Sequence, residues 1–286
     1  MQIIHTIDTL RSVLKQHASV AFVPTMGNLH AGHIHLVNIA KQQAKCVVVS
    51  IFVNPLQFGK HEDLANYPRT LDADCEQLAQ AGVDIVFVPN VVEMYPDFDG
   101  VELHQSMTVQ PPAIADTLCG ASRPGHFVGV ATVVLKLFNI VQPDIAVFGQ
   151  KDFQQLFIIK QLVQQFNLPI RIVAGETVRE ASGLAMSSRN GYLSVAEKAQ
   201  AVQLFNALKT VATALIQGQR DYSSLEKSAV AQLAAQGWQV DYIAICSALA
   251  LLPATAADSH WVVLGAAKLG NTRLIDNIEF CAKPLN

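Results

Sequence analysis

The run Cys46-Val47-Val48-Val49-Ser50-Ile51-Phe52-Val53 is apolar almost without interruption, and a strand with no polar face must be covered on both sides. Such a strand belongs in the middle of a parallel sheet, where crossover helices pack on each face. Its neighbours agree. Val20-Ala21-Phe22-Val23 is a second buried run and leads into helical spacing at Ile34, Leu36, Val37 and Ala40. Asp84-Ile85-Val86-Phe87-Val88, Ile145-Ala146-Val147-Phe148 and Ile170-Arg171-Ile172-Val173 read as further strands. Between them the pattern predicts a helix capped by Thr70 and ending at Gly82, with Asp72 and Asp74 in its first turn and Leu71, Leu78 and Ala79 inward. Longer helices are predicted through Val130, Val133, Val134, Leu137, Phe138 and Val141, and from Gln155 to Phe166. The β-α-β-α-β order places the chain in the α/β class, with a Rossmann-like doubly wound parallel sheet. Residues 89–112 read as irregular with a short strand near Val101, and 120–127 as a flexible polar loop able to close over a site.

Beyond Gly175 the pattern changes. Ser194 with Glu197, and Ser223 with Glu226, have capping-box spacing ahead of two helices ending near Gln217 and Gly237. Apolar runs at 240–246, 261–264 and 274–280 then read as an antiparallel sheet, so a smaller α+β domain is expected at the C-terminus. The chain of 286 residues is long enough for two domains, and the division expected is 1–177 and 178–286.

Composition removes several classes of function. The chain is 51% hydrophobic and 15% charged with a net charge of −3, which describes a compact globular protein. Its Lys and Arg residues form no run, so nothing resembles the basic stripe that holds a long nucleic acid. Five scattered cysteines without Cys-x-x-Cys spacing read as reduced thiols. With neither a signal-peptide pattern nor an apolar stretch of spanning length, the expected location is the cytoplasm and no membrane partner is expected.

The chemistry concentrates after the strands. In open α/β sheets ligands sit beyond the carboxyl ends of the strands, near the point where strand order reverses. Polar clusters follow four strands here: Met26 to His33, Asn54 to Gln57, Gly149 to Gln155, and the segment reaching Met186-Ser187-Ser188-Arg189-Asn190. The first lies between a strand and a helix start, where unpaired N–H groups favour anions and Gly27 and Gly32 allow close approach. His30 and His33, three apart on a first turn, face one side and are suited to donate to charge growing on a phosphate. Lys151 supplies a point charge, Asp152 an acceptor for ribose hydroxyls, and Ser187, Ser188 and Arg189 two hydroxyls and a guanidinium fork. Gln57 and Gln155 are neutral two-way groups apt for a small hydroxy acid. Taken singly, each cluster is also compatible with an ordinary turn or surface pair; their shared position at strand ends is the stronger signal. His35, His61, His104 and His260 show no constellation. No zinc spacing, nucleophile elbow or Walker lysine motif occurs, and no metal ligand is assigned.

The His-x-Gly-His element resembles the nucleotide-binding motif of the class I adenylylating superfamily. Within it, Pro24-Thr25-Met26-Gly27-Asn28-Leu29-His30-Ala31-Gly32-His33 is similar to the pantothenate synthetase (pantoate–β-alanine ligase) family. The similarity extends through Phe52 to Phe58, Tyr67 to Thr70, Arg123 to Phe127, Phe148 to Gln155 and Met186 to Leu193, nearly the whole chain. The resemblance implies that pantoate attacks ATP to give pantoyl adenylate, and that β-alanine then displaces AMP. It implies that His30, His33, Lys151, Ser187, Ser188 and Arg189 hold the triphosphate, within a nucleotide site comprising 26–33, Gly149, Gln150, Lys151, Asp152, Val178 and 186–189. In that site Gly149 and Asp152 hold the ribose, and Val178 and Met186 lie by the adenine. Met26, Asn54, Gln57 and Gln155 surround pantoate. Mg²⁺ on the ATP phosphates and a homodimer are implied as well. Two rivals stay open: a nucleotidylyltransferase of the same superfamily acting on a phosphorylated alcohol, and a non-catalytic nucleotide-binding regulator.

Overall fold

The computed structural model describes residues 1–59, 64 and 67–281; His61 lies outside the described residues. The chain begins with β1 (Gln2–Ile4) and α1 (Ile7–Leu14), ahead of β2 (Val20–Thr25), α2 (Ala31–Gln43) and β3 (Cys46–Ile51). The sequence pattern begins the alternation only at Val20. β1 escapes it because three residues with Ile4 alone buried carry no periodicity. α3 (Leu71–Gln80), β4 (Ile85–Phe87) and the single turn α4 (Val91–Met94) follow, then α5 (Cys119–Ser122), α6 (His126–Val141), β5 (Ile145–Gly149), α7 (Phe153–Gln165) and β6 (Arg171–Gly175).

These strands form one sheet in the order β1-β4-β3-β2-β5-β6, every pair parallel. The chain steps outward from β2 to β3 to β4 and then crosses back to place β5 on the other side of β2. The reversal therefore lies between β2 and β5, as the doubly wound expectation requires. Successive side chains point to opposite faces. Phe22 and Val48 pack with α1, α6 and α7, while Ala21, Val23, Val47 and Val49 pack with α2 and α3. Burial on both faces is the physical reason the β3 run carries no polar alternation.

The remainder builds a three-stranded antiparallel sheet, β7 (Gln239–Ser247), β8 (His260–Leu269) and β9 (Thr272–Cys281), with α8 (Val195–Ile216) and α9 (Tyr222–Ala234). The two helices and one sheet face share a core around Leu204, Leu208, Leu233 and Trp261. The opposite face, through Val262 and Leu264, packs on Phe153 at the start of α7. The smaller unit thus leans its sheet against the end of the parallel sheet where the polar clusters lie.

Several local expectations are corrected. In α3, Leu71 and Ala79 are exposed and Asp74 is the buried residue beside Leu78, because a carboxylate with three hydrogen-bond donors around it is satisfied inside (below). Thr70 occupies the cap position without capping; its hydroxyl donates to Asp74 instead. Val101 is 88% exposed, and the nearby pairing is one bridge between Phe98 and Leu103. The 120–127 segment is mostly helical: Gly120 is buried in α5 and His126 opens α6. The Ser194–Glu197 capping box forms as read. The Ser223–Glu226 pair does not, because Asp221 caps α9 through the Ser224 amide and Glu226 reaches across to the Ile245 amide. His104 and His260 sit beside Asp99 and Glu279 at 3.1 and 2.9 Å.

Candidate active site

The turn after β2 is built differently from a bare helix start. Asp74 on α3 accepts the amides of Asn28 and Leu29, both at 2.8 Å, and the Thr70 hydroxyl at 3.1 Å. Gly27 donates to the Thr25 hydroxyl. His30 caps α2: its Nδ1 accepts the Gly32 amide at 3.1 Å, while His33 Nδ1 accepts the His30 amide at 3.2 Å, closing a capping box made of two imidazoles. The expectation that this turn offers its own amides to an anion is corrected for Gly27, Asn28, Leu29, His30 and Gly32, whose N–H groups are spent inside the protein. Gly32 is needed for the His30 ring, which lies 2.8 Å from where a Cβ would stand.

What the turn does offer is two imidazoles of fixed polarity. A nitrogen that accepts from a backbone N–H carries no hydrogen, so each neutral ring holds its proton on Nε2. The rings lie 4.1 Å apart. Burial, followed by the Lys151 charge, lowers the His30 pKa to about 4; burial, followed by the His30 neighbour, lowers that of His33 to about 3. Both are neutral Nε2–H donors at physiological pH, within the field of Lys151 and Asp152.

After β3, Asn54 is 1% exposed and all four of its amide positions are occupied: Oδ1 accepts from Leu56 N and Tyr95 Oη, and Nδ2 donates to Gln57 Oε1 and Gly129 O. Asn54 has no hydrogen-bonding capacity left for a ligand. Gln57 directs its Nε2 at Met26 Sδ, 3.0 Å away, and its carbonyl accepts from His126 Nδ1 at 2.9 Å. After β5, a 3-10 turn over Gln150–Asp152 carries Lys151, and Asn277 of β9 donates to the carbonyls of Gln150 and Lys151 at 3.0 and 2.8 Å. The adjacent Asp276 grips Arg179 with both oxygens, at 2.7 and 2.9 Å, steadying the segment before Met186. Ser188 Oγ reaches Asn28 O at 3.3 Å, bridging that segment to the histidine turn.

A single cavity of about 710 Å³ is lined by His30, His33, Met26, Asn54, Gln57, Gly149, Lys151, Asp152, Gln155, Val178 and 186–189, a size suited to a small-molecule site. Gly32 also faces it, whereas Gly27, Asn28, Leu29, Ala31 and Gln150 do not line it; Gln150 is paired to Glu279, Leu29 is packed in the core and Ala31 is exposed. The structure adds Tyr67, which lies edge-on to Phe58 and hydrogen-bonds Ser188, and whose hydroxyl is raised above its ordinary pKa chiefly by burial. It also adds Cys119, Tyr242 and Arg273, which join α5 to β7 and β9 across the cavity. Asp74, Tyr95 and Asn277 carry no sequence signal of their own. A lone Asp in a first turn, a Tyr in an irregular segment and an Asn in a terminal strand are each ordinary.

Comparison with known proteins yields concordant matches. Residues 2–279 match the family model described as pantoate-beta-alanine ligase. The pantothenate synthetase of Methylobacillus flagellatus is 62% identical over 280 residues, covering 98% of this chain and 99% of that protein. That of Chromobacterium violaceum is 54% identical over 279 residues, with the same coverages of 98% and 99%. The crystal structure of the Thermus thermophilus enzyme superposes with a TM-score of 0.91 at 42% identity, over 98% of this chain and 99% of that one. The pantoate-beta-alanine ligase of Francisella tularensis, crystallised with beta-gamma ATP and beta-alanine, gives 0.76 at 36% identity, over 98% and 97%.

Proposed function

Since the chain belongs to the pantoate–β-alanine ligase family, we propose that it condenses pantoate with β-alanine at the expense of ATP, giving pantothenate, AMP and pyrophosphate. The observation that carries this reading is the convergence on one cavity of two neutral Nε2–H imidazoles, Lys151, Ser187, Ser188 and Arg189, from segments up to 159 positions apart. In the first step a pantoate carboxylate oxygen bonds to the α-phosphorus, and the bond to pyrophosphate breaks with its electron pair leaving on pyrophosphate. Positioning and charge neutralisation are what such a transfer needs. His30 and His33 donate to the growing charge, and Lys151 and Arg189 balance it. In the second step the unprotonated β-alanine amine attacks the acyl carbon, AMP departs with the electron pair of the single bond between the acyl carbon and its phosphate oxygen, and the nitrogen sheds its extra proton as the amide forms.

Gly149 and Asp152 are assigned to the ribose, Val178 and Met186 to the adenine surroundings, and Met26, Gln57 and Gln155 to pantoate. Mg²⁺ belongs to this proposal as an ion that neutralises ATP phosphates. Among the described residues no group of three His, Cys, Asp or Glu side chains is placed to hold a metal, so these residues do not fit a protein cage for the ion. Residues 1–177 are assigned the nucleotide and pantoate, and 178–286 the smaller unit that brings the Met-Ser-Ser-Arg segment. This division is supported by the end of the parallel sheet at Gly175. A homodimer and a cytoplasmic location rest on family membership. No helix among the described residues is long and apolar enough to cross a membrane.

The deciding measurement is AMP release from the purified protein. AMP formed only when ATP, pantoate and β-alanine are all present is the expected result. Pyrophosphate release from ATP and a phosphorylated alcohol, indifferent to β-alanine, would identify a nucleotidylyltransferase instead, and ATP binding without turnover a regulator.

A further inference from the structure

The polarity of the Asn54 amide is fixed by two backbone groups that cannot change role. The Leu56 N–H, at 3.3 Å, can only donate, so the atom facing it is Oδ1; the Gly129 carbonyl, at 3.2 Å, can only accept, so the atom facing it is Nδ2. The consequences run outward in both directions. Tyr95 Oη, 2.6 Å from Oδ1, must be the donor of that bond. The Gln57 atom 3.1 Å from Nδ2 must be its oxygen, which leaves the Gln57 NH₂ turned toward Met26 and the cavity. With its backbone carbonyl also held by His126, Gln57 keeps its side-chain oxygen on Asn54 and its NH₂ toward the cavity.

We infer that buried Tyr95 is a positioning residue that acts through Asn54 to hold the Gln57 NH₂ toward the cavity as a hydrogen-bond donor, so that this wall of the cavity selects an oxygen acceptor on the hydroxy acid. The inference rests on the proposed pantoate assignment and deepens it. Tyr95 is 1% exposed, and inside the core its hydroxyl donates to Asn54. Its ring is kept in place independently of the hydroxyl, 6.1 Å from Phe52 and beneath the Lys136 ammonium at 5.1 Å. Removing the oxygen therefore leaves the ring seated while freeing one Asn54 lone pair, and the amide chain loses the contact that strengthens its single orientation.

The test is steady-state kinetics of Tyr95→Phe with pantoate and ATP varied separately. A pantoate KM raised about tenfold, equivalent to about 1.4 kcal/mol, with kcat and the ATP KM within about twofold of wild type, is expected. A pantoate KM within about twofold of wild type overturns the inference, as does a proportional loss in kcat and both KM values, which a merely structural role would give. Gln57→Glu reads the donor assignment even if the first variant does not fold. One carboxylate oxygen still accepts from Asn54, while the other presents an acceptor to the cavity, so the pantoate KM must rise more than tenfold with ATP binding retained; an unchanged pantoate KM sinks the proposal. Wild-type protein that makes no AMP with both substrates would overturn the function reading and this inference with it, whereas normal wild-type turnover beside an unaltered Tyr95→Phe overturns the inference alone.

Discussion

Asp74 holds Leu29 across 45 residues of sequence: its Oδ1 accepts the Leu29 amide at 2.8 Å while Oδ2 takes the neighbouring Asn28 amide. The protein's own carboxylate thus occupies two amides of the histidine turn, and Gly27, at φ +82° with its missing Cβ 3.1 Å from Asp74 Oδ2, is the turn residue that permits the approach. Asp74→Asn keeps the volume but sets an NH₂ against donors. It should cost about 1–3 kcal/mol of stability, read by urea unfolding, and lower kcat/KM for ATP at least tenfold as His30 and His33 lose their register. Unfolding and ATP kinetics that both match wild type would show that the turn stands without this carboxylate.

Asn277 performs the corresponding task for Lys151 from the other unit, donating to two consecutive carbonyls of its turn. In Asn277→Leu both carbonyls lose a buried donor, and the Lys151 ammonium is no longer fixed relative to the imidazoles. Pyrophosphate release in a single turnover should slow about tenfold or more, because misplacement of a charge-bearing group by about 1 Å costs rate steeply. Asn277→Asp should be worse, since it sets negative charge against the same carbonyls. Single-turnover rates in the order Leu above Asp, both below wild type, are the outcome to look for; an unaffected rate in the Leu variant would remove β9 from the catalytic geometry.

Much of this was legible in the chain because some signals are local. The unbroken apolar runs declare a doubly covered sheet, and polar residues just past four such runs mark one rim of it. Ser194 and Glu197 read correctly because both halves of the capping box lie within three residues. Ser223 and Glu226 have the same spacing and fail because Asp221 is a better cap and Glu226 finds the Ile245 amide across the fold. The same limit hides Asp74, Tyr95 and Asn277. Each is defined by what it touches 41 to 127 positions away, and nothing in its immediate neighbourhood marks it. The histidine turn shows the point most directly, since its residues were readable but four of its amides prove to be used by Asp74 and by the imidazoles themselves.

The two imidazoles give a defined pH response in the free protein. Their pKa values are lowered to about 4 and about 3, while in the unfolded chain they sit near 6.5. Between these limits the unfolded state binds protons that the folded state refuses, so stability rises with pH across the window and is fully present above about 6.5. Going down from pH 6.5 toward 4, wild type should lose more stability than His30→Asn/His33→Asn, where an Asn oxygen can still accept the capping amide. Urea midpoints at half-unit steps would show the difference, and parallel curves for the two proteins would mean that the histidines titrate normally.

Gly129 tests how tightly the wall proposed for pantoate is built. A Cβ there would stand 2.4 Å from Leu56 O and 2.6 Å from Gln57 N, so α6 lies directly on the Asn54–Gln57 turn, and the same approach lets the Gly129 carbonyl accept from Asn54. In an exposed helix Gly→Ala stabilises by about 1 kcal/mol; here the backbone it would strike cannot rotate away as a side chain can. Gly129→Ala should therefore destabilise by about 1–3 kcal/mol, the cost of overpacking, and raise the pantoate KM more than the ATP KM as Gln57 is pushed off its position. The two readouts separate the causes: a lowered midpoint with unchanged pantoate KM would mean that the helix moved and the turn did not. A variant more stable than wild type would contradict the close contact altogether.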